Sequence, residues 1–340
     1  MKLTDIINKT YENIKEEKST QKKKEYKTDL LHADMKRFLD RTSPKEWNKE
    51  PYDEANKYMN SHFIQAISSE DISQFALELT EYENHPLFNQ TGYFLSAIIN
   101  KHSEKNPAAH YTLLLNYLQK KLEGICFKNE ADVTIVGDCD ESFCYSMKKG
   151  TVLLEGSCGN GSCTYLSGGS VHIKGNTYGN FAQTIGGGHI HIEGTCKKST
   201  FREIDDEDDD SFSYPSLIGS HMHKGIIEID GNCELSVGTA MSSGKIIVKG
   251  NLTEEEYKSV KSVVIEGVGR SMHGGEIHVY GDAGENIGAD MCGGKLYLYG
   301  TYKDISKDFI AGKIYHKDVL IQSRWKKNIK RMKSFFGMKK

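Results

Sequence analysis

Six of the eight cysteines recur at a spacing that can gather several thiols in one place. They are Cys139 and Cys144, then Cys158 and Cys163 at the same positions of the next repeat, then Cys196 and Cys233, which continue the column of Cys139. Four thiols in two adjacent repeats can bind zinc or an iron–sulfur cluster. Cysteine is also a small side chain that fills a narrow interior. The second interpretation is favoured, so we predict no metal and no cofactor, with Cys139, Cys144, Cys158 and Cys163 as the metal candidates.

Histidines form a second group with possible chemistry. His172 and His191 occupy equivalent positions of neighbouring repeats, and Glu228 and His278 follow in the same column. Adjacent imidazoles can share a metal ion or act as acid and base. The column also contains apolar residues, which are Leu153, Ile247, Val264 and Tyr297. Apolar side chains facing outward indicate a covered face, so the favoured prediction is that N-terminal helices or another subunit pack over the two histidines.

The C-terminal segment 323–340 contains eight Lys and Arg residues and no acidic residue. An apolar stripe at helical spacing predicts a short basic amphipathic helix. Its candidate binding residues are Trp325, Lys326, Lys327, Lys330 and Arg331. Such a helix suits an anionic membrane surface, an acidic partner or nucleic acid, or it caps the end of the fold. Capping or protein docking is favoured over the membrane, and no nucleic-acid partner is expected.

The element that must position the cysteines and histidines is a repeated strand. Seven segments read Gly, x, apolar, x, apolar, x, Gly, and two degenerate copies end at Gly137 and Gly267. The seven begin at Gly150, Gly169, Gly188, Gly225, Gly244, Gly275 and Gly294. Most of their closing glycines recur at a fixed step of 19 in the numbering, with one step of 37. The period predicts a right-handed parallel β-helix over residues 125–322.

Alternation within each segment assigns its two apolar residues to the interior of the coil. The residue before each closing glycine should then lie beside its counterparts in the neighbouring coils. That column reads Glu155, Lys174, Glu193, Asp230, Lys249, Glu266, Tyr280 and Tyr299. Opposite charges alternate within each of two trios, Glu155/Lys174/Glu193 and Asp230/Lys249/Glu266, before two tyrosines meet, which is the pattern that stacked strands favour.

Composition divides the chain and excludes several classes of protein. Of the 33 glycines, only Gly92 and Gly124 precede residue 125, and residues 1–124 are predicted to form a helical domain. Predicted helices lie near residues 29–39, 52–67, 91–102 and 106–124, and Ser68 with Asp71 opens another. A mean hydropathy of −0.55 and the lack of a long apolar run argue against an integral membrane protein.

The first residues have no apolar signal-peptide core, so a cytoplasmic protein with reduced thiols is expected. The near-neutral formal charge of −3 also argues against general nucleic-acid binding. An acidic insertion at residues 195–224 accounts for the step of 37 by replacing most of one coil. Its run of acids is predicted to be a solubilising loop, with calcium binding as the alternative.

The stretch 281–300 resembles the repeat of the GxGxG β-helix family, which includes one subunit of formylmethanofuran dehydrogenase and the C-terminal domain of the glutamate synthase large subunit. The glycines that carry this resemblance are Gly281, Gly284, Gly288, Gly293, Gly294 and Gly300. The resemblance covers about residues 131–321 and implies a structural or subunit-docking element, whose catalytic partners lie in other domains or subunits. The motifs of those catalytic partners have no match in this sequence.

These observations together favour a non-catalytic scaffold or assembly protein. We expect its β-helix to dock the helical domain, a partner protein or a second copy of the chain. One alternative is a subunit of a redox enzyme complex related to formylmethanofuran dehydrogenase. Another is a β-helix protein that associates peripherally with membranes.

Overall fold

The computed structural model describes residues 27–40, 51–59, 61–198, 217–234, 236–253 and 267–324. Its helices are α1 (Asp29–Asp40), α2 (Pro51–Tyr58), α3 (Ser61–Ile64), α4 (Ser69–Leu77) and α5 (Thr91–Ser103), with 3₁₀ turns at Glu78–Tyr82 and Phe88–Gln90. The helices predicted near residues 29–39, 52–67 and 91–102 are therefore confirmed, apart from a break between α2 and α3. The predicted opening of α4 is also confirmed, because Ser68 and Asp71 form a capping box.

The rest of the described chain is built from short strands. They are β1 (His110–Leu114), β2 (Asp132–Val136), β3 (Thr151–Glu155), β4 (Ser170–Ile173), β5 (Thr177–Tyr178), β6 (Gly186–Ile192), β7 (Cys196–Lys197), β8 (Leu217–Ile218), β9 (Lys224–Ile229), β10 (Ser236–Val237), β11 (Lys245–Val248), β12 (Glu276–Val279), β13 (Cys292–Leu298), β14 (Ala311–His316) and β15 (Val319–Arg324).

Ten of these strands stack in parallel along one side of a β-solenoid of about nine turns. The order in the sheet is β1, β2, β3, β4, β6, β9, β11, β12, β13 and β14, and β15 adds an antiparallel edge strand. Val152 pairs with Val171 and Val171 with Ile190, so each coil here contains one sequence repeat. The predicted inward positions of the seven repeats are buried. The parallel β-helix predicted from the repeat is thus confirmed as a parallel solenoid.

The helix predicted over residues 106–124 is wrong. Residues 110–114 form β1, which pairs in parallel with β2 from His110 opposite Asp132 onward. Tyr111 and Leu113 continue the two interior columns and are fully buried. The solenoid sheet consequently begins before residue 125. Local helix signals at Asn106 and Pro107 yield here to strand pairing, because pairing completes the first coil and buries both side chains.

Two steps of the repeat differ from the predicted coil count. β6 pairs directly with β9, so the acidic insertion is an excursion within one coil and does not replace a coil. β11 likewise pairs directly with β12, so no strand ending at Gly267 lies between them in the described sheet. Val264 and Glu266 lie outside the described residues. Lys249 is therefore followed by Tyr280 in its column.

The six motif glycines serve two different purposes. Gly284, Gly288 and Gly294 have φ values of 71°, 68° and 89°, which L side chains rarely adopt. The other three are needed for space. A Cβ at Gly281, Gly293 or Gly300 would lie 2.4 Å, 2.3 Å or 2.3 Å from a backbone carbonyl oxygen of the preceding coil. Positive φ therefore accounts for half of the motif, and close approach of the preceding coil accounts for the other half.

The side chains that directly follow the closing glycines form a ladder of hydrogen bonds between neighbouring coils at one corner of the solenoid. The Asn232 Oδ1 atom accepts the Asn251 backbone N–H at 2.9 Å, and Asn251 Oδ1 accepts that of Asp282 at 2.9 Å. Asn176 accepts the Thr195 backbone N–H in the same way. The signal was present in the sequence, because every closing glycine from Gly137 to Gly250 in the described sheet is followed by Asp, Ser, Asn or Thr.

We expect Asn251→Ala to lower the free energy of unfolding by about 1 kcal/mol, because the Asp282 N–H loses its acceptor. Urea denaturation followed by circular dichroism measures this change. The matched control is Asn251→Asp, which retains an acceptor oxygen and should lose less. Equal losses in the two variants would contradict the ladder as the cause.

Candidate functional site

The flat outer face of the ten-stranded sheet collects the outward histidines, tyrosines and charges. In each strand the first, third and fifth residues of the repeat point outward, because side chains alternate across a strand. The middle column runs Thr112, Thr134, Leu153, His172, His191, Glu228, Ile247, His278, Tyr297 and Tyr315. We call the three outward columns of these strands the outer face. The register confirms that His172 and His191 are direct neighbours, whereas His278 lies three strands beyond His191.

The His172 and His191 rings stack with centroids 4.7 Å apart and an interplanar angle of 14°. Each Nε2 atom lies within hydrogen-bonding distance of a carboxylate oxygen. His172 Nε2 is 2.7 Å from Glu193 Oε1, and His191 Nε2 is 2.9 Å from Asp230 Oδ2. Burial alone would raise the pKa of Asp230, but hydrogen bonds from Lys249 and His191 outweigh burial and hold this pKa below its usual value. The two imidazoles thus form separate pairs with carboxylates along the face.

This geometry does not gather ligands around one point. Among residues 27–324, outside the gaps named above, no group of three or more His, Cys, Asp or Glu side chains is arranged to hold a metal ion. The histidine side chains are about one-third exposed, at 35% for His172 and 29% for His191. An imidazole with one nitrogen on a carboxylate and one face on its neighbour is well placed to contact another surface.

Tyrosines dominate the C-terminal part of the outer face. Tyr280 stacks on Tyr299 at 4.5 Å, and Tyr297 lies between His278 at 4.4 Å and Tyr315 at 4.8 Å. Burial and the charge of Lys245 lower the pKa of His278, which favours its neutral form within the stack. Tyr280 remains 50% exposed. The stacked rings therefore cover one another's faces along this part of the outer face.

The described helices do not cover this face, so the predicted packing of N-terminal helices over the histidines is wrong for this part of the chain. The helix α4 packs beside the edge strand β1, and α5 contacts the same strand through His102. There the Thr112 backbone N–H donates to Ser73 Oγ at 3.4 Å. The helices therefore cap the N-terminal end of the solenoid, because an open end would expose backbone groups and interior side chains.

The cysteine columns lie in the interior. Bridges place Cys139 beside Leu122, Cys158 beside Thr177, and Cys233 between Cys196 and Leu252, as the repeat predicts. The second column contains Cys144 and Cys163 at a corner, where their φ values are 53° and 57°. All eight cysteines are buried. Leucines and a threonine in the first column suit packing better than metal ligation.

Burial raises the pKa of the Cys139, Cys144 and Cys158 thiols well above the usual value. The thiolate is the reactive form, so we expect these thiols to resist iodoacetamide at pH 8 in the native protein. They should react readily in urea, where burial no longer raises the pKa or blocks access. Mass spectrometry of alkylated peptides at timed intervals measures the two rates. Rapid native labelling of Cys158 would contradict this packing.

A hollow of about 310 Å³ lies near the capped end, lined by Leu115, Gly137 and the segment 118–122. The two lysines at its rim already have oxygen partners. Lys120 Nζ donates to the Glu83 carbonyl oxygen at 2.7 Å, and Lys121 Nζ lies 3.1 Å from Asp138 Oδ2. The outer face is accordingly the stronger candidate for a binding site.

The predicted basic helix lies almost wholly outside the described residues. Ser323 and Arg324, its first two residues, belong instead to the antiparallel strand β15, so the helix does not begin at 323. The candidates Trp325, Lys326, Lys327, Lys330 and Arg331 lie outside the described residues, as does the acidic run 203–210.

Within the described segments, no helix is both long and apolar enough to cross a bilayer. Comparisons of the chain with protein-family models and with curated protein sequences found no match.

Proposed function

We propose that this protein is a non-catalytic scaffold whose outer face docks a protein partner. The observation that carries the proposal is a sheet face, uncovered by the described helices, on which aliphatic and aromatic side chains accompany paired charges. Ile226, at the centre of the face, is 38% exposed, and Tyr280, in the C-terminal part of the face, is 50% exposed. Apolar groups of this kind on a flat surface are typical of interaction sites, and tyrosine is enriched there.

A rigid solenoid suits this role because its contacts are made between neighbouring coils and its interior is filled by side chains. The buried thiols are explained by packing, and the separate histidine pairs by their place on the outer face. The proposal includes a right-handed coil, supported by the step of 19 residues, and membership of the GxGxG β-helix family, supported by the glycine positions. A docking role agrees with what that resemblance implies, and a cytoplasmic setting would keep the cysteines reduced.

Site-specific photocrosslinking tests the docking face. A benzophenone amino acid replaces Tyr297 on the outer face or, as a matched control, Tyr165, which is 51% exposed away from that face. In the native cells we expect a discrete crosslinked product from position 297 and none from position 165. Mass spectrometry then identifies the captured chain. Absence of a product at position 297, or equal products at both positions, would overturn the proposal.

A further inference from the structure

Charge is segregated along the outer face. The N-terminal half of the face consists of β1, β2, β3, β4, β6 and β9, together with the residue that follows each strand. Its outward columns carry five carboxylates and one lysine. These are Asp132, Glu155, Glu193, Glu228, Asp230 and Lys174. The half formed by β11, β12, β13 and β14 carries four lysines and one carboxylate before the turn that follows β14. These are Lys245, Lys249, Lys295, Lys313 and Glu276. One surface therefore presents an acidic end and a basic end.

Such a surface is complementary to itself in one orientation. Two outer faces can touch only when the two-fold axis lies in the plane between them, which excludes an axis perpendicular to the face. When the axis lies in this plane and runs parallel to the strands, it also reverses the order of the coils. The acidic half of one chain then meets the basic half of the other. An axis parallel to the solenoid would keep the order and oppose like charges. Closed two-fold dimers use one self-complementary patch on both subunits, and complementary charges fix orientation more than they add affinity.

The boundary between the halves is apolar where the two-fold axis would pass. Ile226 of β9 is outward and exposed, and Ile247 of β11 is outward and half-buried in the neighbouring column. Two copies arranged about this boundary would bring the isoleucines of both chains together. Burying apolar side chains at the centre, with charges toward the ends, is the usual anatomy of a stable interface.

The area is also adequate. With the two-fold axis between β9 and β11, the eight strands from β3 to β14 overlap with those of the second copy. Eight strands at ~4.8 Å give a length of about 34 Å, and five residues at ~3.3 Å give a width of about 16 Å. The overlap therefore covers about 540 Å² on each chain, or about 1,100 Å² in total, which exceeds the ~1,000 Å² expected of a specific interface.

We propose that the partner on the outer face is a second copy of this chain, bound with its solenoid antiparallel to the first. This inference rests on the proposed docking function and names its partner. The acidic half of each chain faces the basic half of the other, and the apolar boundary lies on the two-fold axis. Increasing salt should weaken the dimer, because exposed charges at its ends are screened.

Charge reversal on the full-length chain tests the orientation. One variant carries Glu193→Lys and Glu228→Lys, which neutralise the acidic half and give the whole face a net positive charge. The other carries Lys249→Glu and Lys313→Glu, which make it acidic. In sedimentation equilibrium at micromolar concentrations we expect the wild type to dimerise and each variant alone to dimerise about tenfold more weakly. An equimolar mixture of the two should form a heterodimer that is tighter than the dimer of either variant alone, because the unchanged basic half of the first then faces the unchanged acidic half of the second.

A control variant, Lys105→Glu with Lys307→Glu, makes the same change in net charge as the second variant at exposed sites off the outer face. It should dimerise like the wild type, and thermal melts check that every variant folds. Recovery in the mixture distinguishes complementary charge from damage to the fold, because a damaged surface cannot be restored by a second damaged one. Failure of the mixture to associate, or undiminished self-association of either variant, would overturn the antiparallel dimer.

The outcomes also separate the two proposals. A monomeric wild-type protein that still gives a crosslink from position 297 to a different chain would overturn the dimer and support the docking function. A monomeric protein with no product at position 297 would overturn both. A dimer with recovery in the charge mixture and a crosslink to its own chain supports both.

Discussion

Replacing Gly194 with alanine should cost more than about 3 kcal/mol of unfolding free energy, one of the largest losses available to a single methyl group in this chain. A Cβ at this position would lie 2.2 Å from the Gly175 carbonyl oxygen and 2.5 Å from its carbonyl carbon. Both are backbone atoms of the adjacent coil, so the strain cannot be relieved by turning a side chain. Neighbouring coils would have to separate where the ladder bond from Thr195 to Asn176 holds them. Urea denaturation measures the loss.

The chain supplies a matched control in the same coil. Gly186 begins β6 and has no heavy atom within 4 Å of the place where its Cβ would lie. Gly186→Ala should therefore change stability by less than ~0.5 kcal/mol. Similar losses in both variants would mean that glycine flexibility, rather than the distance between coils, decides the effect.

His102→Ala should produce a loss of about 3–4 kcal/mol, because it leaves a cavity and two buried polar groups without partners. His102 is 3% exposed and joins three parts of the chain. Its Nε2–H donates to the Ile67 carbonyl oxygen at 3.0 Å, and its Nδ1 accepts the Tyr111 hydroxyl proton at 2.6 Å. The ring also packs edge-on against Tyr111 at 5.6 Å. The variant should release the helical cap from the first coil.

Hydrogen exchange identifies where stability is lost. In the His102→Ala protein, the backbone amides of α5 and β1 should lose protection from exchange. The amides of β4 and β6, which lie in later coils, should keep theirs. The control Tyr111→Phe keeps the ring and removes one hydroxyl, so it should cost only ~1 kcal/mol. Uniform loss of protection along the solenoid would contradict a local joint, and a loss in Tyr111→Phe equal to that in His102→Ala would assign the effect to the hydroxyl.

Repetition made the sheet predictable. Each five-residue strand places its apolar pair inside by simple alternation, so Ile190 and Ile192 reach the core without long-range information. The cysteine column and the His172–His191 contact follow from the same period, because residues one coil apart become direct neighbours. Lys174 Nζ lies 2.5 Å from Glu155 Oε1 and Lys249 Nζ lies 2.6 Å from Asp230 Oδ1, so the predicted alternation of charge is confirmed in these two ion pairs.

Prediction failed where one local pattern fitted two structures. Segment 106–124 has helix caps and leucines, yet Tyr111 and Leu113 are held in β1 by pairing with β2, a strand from later in the chain. The sequence also left open whether the chain between Gly194 and Gly231, or between Gly250 and Gly281, adds a further coil to the solenoid. Spacing alone gives the length of chain between two strands, and only pairing shows whether that chain contains a coil or a loop.

The sequence by itself determined the repeat, the interior and the residues that line the outer face, because those properties depend on alternation and period. Tertiary structure decided that the described helices cap the end of the solenoid and leave the outer face uncovered. It also decided which glycines are required by φ and which by the approach of another coil. These outcomes depend on contacts between distant segments, which a local pattern does not encode.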